Sequence, residues 1–167
     1  VLGTPEDLQF YETHVAALQS ITKFAICSDH SGFAVKCELI DVLRKLGYGY
    51  VDFGAFSPKD SDHYDSLKPC IEHLATANGT IGMAICSTGQ GFNIAANKAK
   101  GIRSALVSDT HTAEMARRHN AANFFCLPST TKLDLEGIIK AIANNSFDGG
   151  RHATRIRRIA DDPIFGP

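Results

Sequence analysis

The chain has 167 residues, the length of one ordinary globular domain, and 44% of them are apolar, enough for a substantial core. Charged residues make up 21% and the formal net charge is -1, which argues against disorder and against a basic field for nucleic acid. The apolar runs are far shorter than a membrane span. From the net charge we expect no nucleic acid as a partner, and from the short apolar runs we expect no membrane.

Buried strands and amphipathic helices alternate in the first part of the chain. We predict strands over Phe24–Cys27 and Tyr48–Phe53, with a helix between them that ends before Gly47. The apolar residues of this helix share one face. Its charged residues form the opposite, solvent-facing side: Lys36, Glu38, Asp41 and Lys45.

The alternation continues to the end of the core. Further strands are predicted over Ile81–Cys86, Ser104–Val107 and Asn123–Leu127, and helices around Leu67–Ala75, from Phe92 to Lys98, over Thr112–His119 and around Leu135–Ile142. Nearly continuous apolar strands between helices are typical of a parallel sheet that is covered on both faces. We therefore predict an α/β fold: a three-layer, doubly wound, Rossmann-like sandwich with a five-stranded parallel sheet and extra N-terminal and C-terminal helices.

Two segments lie outside this core. Residues 1–22 carry apolar residues at helical spacing and are predicted to form an N-terminal helical extension. The main domain is predicted over residues 23–160 and includes a basic tail helix that begins near Gly149. Residues 161–167 are interpreted as the end of the tail.

The cysteines indicate a reducing compartment. There are five, Cys27, Cys37, Cys70, Cys86 and Cys126, an odd number without a CxxC pair. This usage argues against a disulfide framework and against a zinc site. We expect a cytoplasmic protein and interpret at least four of the cysteines as small core residues.

Three polar clusters follow predicted strands. They are Ser28-Asp29-His30, Cys86-Ser87-Thr88-Gly89-Gln90-Gly91 and Ser108-Asp109-Thr110. Ligands bind beyond the carboxyl ends of parallel strands, so the convergence of these clusters predicts a binding site there.

The cluster after the third strand is the sharpest signal. Gly89 and Gly91 allow close approach of the backbone to a ligand, and the N–H groups of this glycine loop (residues 87–91) suit a phosphate or a developing oxyanion. Cys86 at its start is either an activated thiol or a buried core residue, and short glycine motifs are often plain turns. Both interpretations stay open from these residues alone.

The basic tail also has two interpretations. Arg151, His152, Arg155 and Arg158 form a charged run that is usually a solvated or nucleic-acid-binding face. A small group of guanidinium groups can equally clamp one phosphate in bidentate fashion.

Taken together, these motifs resemble the type-B ribose-5-phosphate isomerase family, which also includes galactose-6-phosphate isomerase subunits. The matching segments are Ser28–Phe33, Cys86–Gly91 running into Ile94–Lys98, Gly101–Arg103, Arg118–Asn120, and Gly149–His152 with Arg155. They cover residues 23 to 160 in the order and spacing of the family.

The resemblance implies an enzyme that interconverts ribose 5-phosphate and ribulose 5-phosphate without a metal or other cofactor. Cys86 corresponds to the base that moves a proton between C1 and C2 through a cis-enediolate, and Thr88 to a partner in proton handling. His119 corresponds to the residue that opens the furanose ring, with Asp29 assisting.

The resemblance also implies the binding residues and a homodimer. His30, Arg151 and Arg155 correspond to phosphate ligands and Asn120 to a substrate contact. Ser87, Gly89 and Gly91 belong to the oxyanion cradle. Family members combine both subunits in each site, with the tail arginines reaching across.

Three positions depart from the family pattern. Ser87 replaces the usual glycine after the cysteine. His63 and Tyr64 share the place of a tyrosine that lies beside the substrate, so either can be the contact. Thr130 stands where many members have a phosphate-binding arginine, with Lys132 as a nearby cation.

Other functions remain as alternatives. A six-carbon substrate, such as galactose or allose 6-phosphate, would use the same chemistry, and a silent sugar-phosphate-binding protein would use the same fold. A cysteine hydrolase is disfavoured because the sequence offers no dedicated residue to orient a Cys–His pair.

Overall fold

The computed structural model describes residues 21–165. The strands are β1 (Lys23–Ser28), β2 (Gly49–Asp52), β3 (Thr80–Cys86), β4 (Ser104–Leu106) and β5 (Phe124–Pro128). The helices are α1 (Phe33–Leu46), α2 (His63–Leu74), α3 (Gln90–Ala96), α4 (Thr110–Asn120), α5 (Leu135–Ala143) and α6 (Gly150–Ala160), followed by a short 3-10 helix (Pro163–Phe165). The predicted N-terminal extension lies outside the described residues, apart from its last two positions.

The five strands form one parallel sheet in the order β2-β1-β3-β5-β4. From β1 the chain adds β2 on one side and then crosses to β3 on the other side, where β4 forms the outer edge and β5 lies between β3 and β4. The α/β doubly wound fold predicted from the sequence is confirmed. In such a sheet the crevice for a ligand opens at the carboxyl ends of the two strands where the winding reverses, here β1 and β3.

Side chains of alternating size cover the two faces of the sheet. One face carries large apolar residues that pack with apolar residues of α1, α4 and α5: Phe24, Ile26, Met83 and Ile85. The opposite face carries smaller residues, among them Ala25, Cys27, Ala84, Cys86 and Cys126, which pack against α2 and α3. Two-residue periodicity in the strands thus produces the three-layer sandwich.

Lys36 corrects one prediction. We assigned it to the solvent-facing side of α1, but its side chain is fully buried. Its ammonium donates to Asp52 Oδ1 at 2.6 Å and to Ala55 O at 2.5 Å, and it lies over the rings of Phe33 and Phe56. A buried charge requires such partners, and these tie α1 to the segment after β2.

Element ends differ from the prediction by a few residues. α3 begins at Gln90 and ends at Ala96, because Gly89 in the left-handed conformation (φ 78°) begins the helix. β2 is limited to Gly49–Asp52. Within residues 21–165, no helix is both long enough and apolar enough to cross a membrane.

The C-terminal helix α6 lies against α4 and the 3-10 helix, and none of its residues is buried. Large apolar side chains near the end of the described chain face solvent: Ile159 is 52% exposed, Ile164 81% and Phe165 67%. This apolar end of the tail is uncovered in a single chain.

Candidate active site

Cys86 is the last residue of β3, on the face covered by α2 and α3. Its side chain is only 8% exposed, and the backbone N–H of Gly89 donates a hydrogen bond to Sγ at 3.2 Å. The thiol is therefore neither sealed deep in the core nor free on the surface. It lies at the edge of the sheet with an amide hydrogen directed at the sulfur.

The glycine loop depends on Gly89. A Cβ at this position would collide with Leu106 Cδ1 and lie 3.3 Å from the backbone carbon of Leu127, and its φ of +78° is itself unfavourable for other residues. At Gly91 a Cβ would meet nothing within 4 Å. Thr88 in the same loop is exposed, and its Oγ1 accepts from the N–H of Gln90 at 3.3 Å.

The start of the loop is attached to the turn after β5. Ser129 N–H donates to Cys86 O at 2.8 Å. Thr130 donates twice to Ser87 O, from its N–H at 3.3 Å and from its Oγ1 at 2.9 Å. These bonds extend the β3–β5 pairing beyond the strands and fix the two peptide planes that follow the thiol.

Asp29 lies at the carboxyl end of β1, the neighbour of β3. Its backbone N–H donates to Ile85 O at 3.3 Å, next to Cys86 along the chain. Its Oδ1 accepts from Ser31 Oγ at 2.6 Å and from Gly32 N–H at 3.0 Å, which orients the carboxylate. The structure thus brings the predicted residues after β1 and β3 to one edge.

His30 and His63 border the same edge. His30 Nδ1 lies 3.3 Å from Asp60 Oδ1 and 3.3 Å from the backbone nitrogen of Ser61, in the loop before α2. The His63 ring makes an edge contact with the buried Phe92 of α3, with ring centroids 5.4 Å apart. Tyr64 is 60% exposed, so His63 is the residue of this pair that packs against the helix following the glycine loop.

The third predicted cluster has a structural role. Asp109 caps the start of α4, and its Oδ1 accepts from Thr112 N–H at 2.7 Å. This bond lowers the pKa of the Asp109 carboxyl from its usual value. The cluster therefore contributes a helix cap at the carboxyl edge of the sheet.

His119 belongs to a second group of side chains. Its ring stacks on the ring of His152, with centroids 4.2 Å apart and planes 8° apart, and its Nε2 lies 3.8 Å from Asp148 Oδ2. Arg118 holds this carboxylate with Nε 3.2 Å from Oδ1 and Nη2 3.2 Å from Oδ2. Partial burial, followed by the charges of His119, Arg151 and Arg155, lowers the pKa of His152.

The two groups lie at opposite edges of the sheet. α4 begins beside Asp109 at the carboxyl edge and runs for 11 residues, a rise of about 16 Å, to His119 and Asn120 near the amino edge. Arg151 and Arg155 lie exposed on α6, which packs against α4. One chain therefore does not place His119 beside Cys86.

His119, Asp148 and His152 also bring possible metal ligands within 4.8 Å of one another. Arg118 already binds both oxygens of the carboxylate. The stacked imidazole planes are nearly parallel, so their nitrogen lone pairs run side by side and do not converge on one point. We assign no metal to this group.

Sequence reasoning missed several contacts of the site. Asp148 and Arg118 have no predicted role, although Asp148 directly precedes Gly149, near which the tail helix is predicted to begin. Sequence reasoning treated Thr130 only as the absence of an arginine. The hydrogen bonds of these residues join segments far apart in the chain, and local patterns do not report such contacts.

The sequence is similar to a known family and to its curated members. The sequence model of the family described as Ribose/Galactose Isomerase matches residues 24–159. The ribose-5-phosphate isomerase B of Escherichia coli is 36% identical over 143 residues, which cover 82% of this chain and 93% of that protein.

Solved structures give the same result for the fold. The ribose 5-phosphate isomerase of Thermotoga maritima superposes with a TM-score of 0.78 at 36% identity, covering 82% of this chain and 96% of that one. The ribose-5-phosphate isomerase B of Mycoplasma genitalium, solved with bound ribulose-5-phosphate, superposes with a TM-score of 0.74 at 32% identity, covering 82% of this chain and 93% of that one.

Proposed function

The chain belongs to the ribose/galactose isomerase family, and from this premise we propose that it interconverts ribose 5-phosphate and ribulose 5-phosphate. Its relatives of known structure include an isomerase with bound ribulose-5-phosphate. The observation that carries the proposal is the Cys86 thiol, which lies where the winding of the sheet reverses and accepts the Gly89 N–H.

Cys86 is proposed to act as the base at carbon. As the thiolate it removes the proton from C2 of the open-chain aldose, and the electron pair moves onto O1 to form a cis-enediolate. The thiol then returns the proton to C1. The hydroxyl proton passes from O2 to O1, with Thr88 as the relay, so no proton is gained or lost overall.

The glycine loop is proposed to stabilise the charge on the enediolate oxygens. Ser87, Gly89 and Gly91 contribute a backbone rich in N–H donors, and a single preorganised N–H donor can be worth about 3 kcal/mol in such a transition state. A hydrogen bond to sulfur likewise stabilises its thiolate form, which is the form that takes up the proton. This chemistry needs no redox change and no leaving group.

The remaining steps are proposed to use both groups of side chains. His119 protonates the ring oxygen of the furanose as the O1 proton leaves, Asp29 assists at the hydroxyls, and Asn120 contacts the sugar. The phosphate is proposed to lie among His30, Arg151 and Arg155, with His63 bordering the sugar.

A homodimer follows from this assignment. His119 and Cys86 lie at opposite edges of one chain, so each site requires the tail and α4 of a second copy. The exposed apolar end of the tail, including Ile159 and Phe165, supports such an association. All five cysteines are free thiols, which supports the cytoplasmic location expected from the sequence.

The test is a coupled assay with purified Cys86→Ala and Cys37→Ala. Cys37 is an exposed thiol on α1 and serves as the matched control. Loss of the base should lower kcat at least about a hundredfold with little change in KM, while the control keeps wild-type turnover. Full activity of Cys86→Ala would overturn the assignment.

The same assay separates the alternatives for the substrate. Ribose 5-phosphate, galactose 6-phosphate and allose 6-phosphate are supplied in parallel to the wild-type protein. Turnover of a hexose phosphate alone would defeat the pentose assignment while retaining the isomerase chemistry. Binding of all three without turnover would identify a sensor of sugar phosphates.

A further inference from the structure

We propose that Thr130 is a positioning residue for the glycine loop, through its paired hydrogen bonds to the Ser87 carbonyl. The proposal rests on the isomerase function above and adds to it. Thr130 stands at the turn after β5, and neither its side chain nor Ser87 is buried. Its hydroxyl is turned toward the loop that follows Cys86.

The direction of the bound carbonyls explains how this contact acts. In a trans peptide the C=O and the following N–H point in opposite directions. Ser129 fixes the Cys86 carbonyl and Thr130 fixes the Ser87 carbonyl, both from the β5 side. The N–H groups of Ser87 and Thr88 are consequently directed away from that turn.

Two successive N–H groups that point to the same side form an anion-binding nest. Consecutive peptides of an extended strand alternate in direction, so this arrangement requires a restraint on both carbonyls. Ser129 supplies one restraint from its backbone, which any residue would provide. The second restraint comes from Thr130, whose hydroxyl adds a hydrogen bond to the one donated by its backbone N–H.

The hydroxyl is the stronger of the two Thr130 donors. Its oxygen lies 2.9 Å from Ser87 O, whereas the backbone nitrogen lies 3.3 Å away. Removal of the hydroxyl leaves only the long bond, and the Ser87–Thr88 peptide can then rotate. We expect the aligned donors, and with them the transition state, to be affected more than substrate binding.

The experiment compares Thr130→Val, which keeps the shape but lacks the hydroxyl, with Thr130→Ser, which keeps the hydroxyl. Steady-state kinetics on ribose 5-phosphate should show about a fivefold lower kcat for Thr130→Val with KM unchanged, the effect of one hydrogen bond. Thr130→Ser should recover wild-type kcat within about twofold. Equal thermal unfolding midpoints for all three proteins would exclude a general loss of stability.

A second readout does not require isomerase activity. Iodoacetamide labelling of the native protein is followed by peptide mass spectrometry, with the exposed Cys37 as the internal reference. Because Cys86 is only 8% exposed under the loop, loosening the loop should raise its labelling rate relative to Cys37 several-fold in Thr130→Val and not in Thr130→Ser.

Each outcome decides between roles for Thr130. A higher KM with unchanged kcat in Thr130→Val would make it a substrate contact and overturn the positioning role. Unchanged kinetics together with unchanged labelling would overturn it as well. If the wild-type protein turns over no sugar phosphate, the proposed function fails, and the labelling ratio still tests whether Thr130 orders the loop.

Discussion

The cysteines show how strongly the chemical behaviour of one residue type depends on its surroundings. Burial, with the neighbouring thiol Cys70 adding to it, raises the pKa of Cys27 well above its usual value. Burial likewise raises the pKa of Cys126 to about 12. Cys86 is nearly as buried, but it is the last residue of β3 and its Sγ accepts a hydrogen bond from the Gly89 N–H. Four of five cysteines therefore serve as core or surface residues, and position alone distinguishes the fifth.

These environments predict a labelling pattern. At pH 8 the raised pKa values keep Cys27 and Cys126 as protonated thiols, and burial blocks access to them, so iodoacetamide should leave both unmodified in the folded protein. Exposed Cys37 should label under the same conditions. Peptide mass spectrometry with and without urea measures this; native labelling of Cys126 at the rate of Cys37 would contradict it.

Gly89 offers a test of backbone strain at the site. Gly89→Ala places a Cβ against Leu106 in a left-handed conformation, which costs about 1–2 kcal/mol before the collision is counted. We expect a lower thermal midpoint and loss of turnover. Gly91→Ala is the matched control for stability, because a Cβ there meets nothing within 4 Å. Equal midpoints for the two variants would show that the loop tolerates a side chain at residue 89.

At the scale of elements, hydrophobic periodicity predicts most of the fold. Alternation of buried strands and amphipathic helices predicts a covered parallel sheet, and the structure confirms it. Strand order is not visible in such patterns, because periodicity reports which face is buried and not which strand is adjacent. The edge strand β2 is only four residues long, so its limits were also less sharply defined.

The same reasoning explains which site residues were predictable. Polar residues at the carboxyl ends of parallel strands converge by topology, which predicted the proximity of Asp29 and Cys86 correctly. Asp109 met the same criterion yet caps a helix. The prediction for Lys36 was wrong for a different reason. Its charged side chain lies on the polar face of the helix pattern, but partners that only the tertiary fold supplies bury it.

The buried Lys36–Asp52 pair should add to the apolar packing that attaches α1 to the sheet. Lys36→Met leaves the partly buried Asp52 without its cation, and we expect the free energy of unfolding to fall by about 3 kcal/mol. Urea denaturation measures the change. Lys45→Met on the same helix is the control, because its ion pair with Glu136 is on the surface and should contribute little to stability. A similar loss for both variants would argue against a special role for the buried pair.

At the scale of the whole molecule, the residues proposed for one reaction lie at two edges of the sheet. The thiol and the glycine loop lie at the carboxyl edge, and the His119–His152 stack with the Arg118–Asp148 ion pair lies at the amino edge. A helix of 11 residues separates them. If both parts serve one sugar phosphate, a second copy of the chain must bring its amino edge to the carboxyl edge of the first.

This arrangement predicts complementation between inactive subunits. Cys86→Ala and His119→Ala should each form inactive homodimers, because each variant damages both composite sites. In a mixed dimer, one site combines both substituted residues and the other combines an intact Cys86 with an intact His119. Co-expression in equal amounts yields half heterodimers with one working site of two, and we expect about a quarter of wild-type activity.

The measurement uses differently tagged subunits and sequential affinity purification, so that heterodimers are assayed alone. Purified heterodimers should then have about half of wild-type kcat with an unchanged KM. Co-expression of Cys86→Ala with Thr88→Ala is the matched control, because both substitutions lie at the carboxyl edge of their own subunit. In that mixed dimer each site keeps one damaged residue, and activity should stay low. No recovery in the test pair would place Cys86 and His119 in a site of one chain and remove the reason for a shared one. Recovery in the control would show that mixing two variants restores activity without a shared Cys86–His119 site, and the gain in the test pair would then not support sharing.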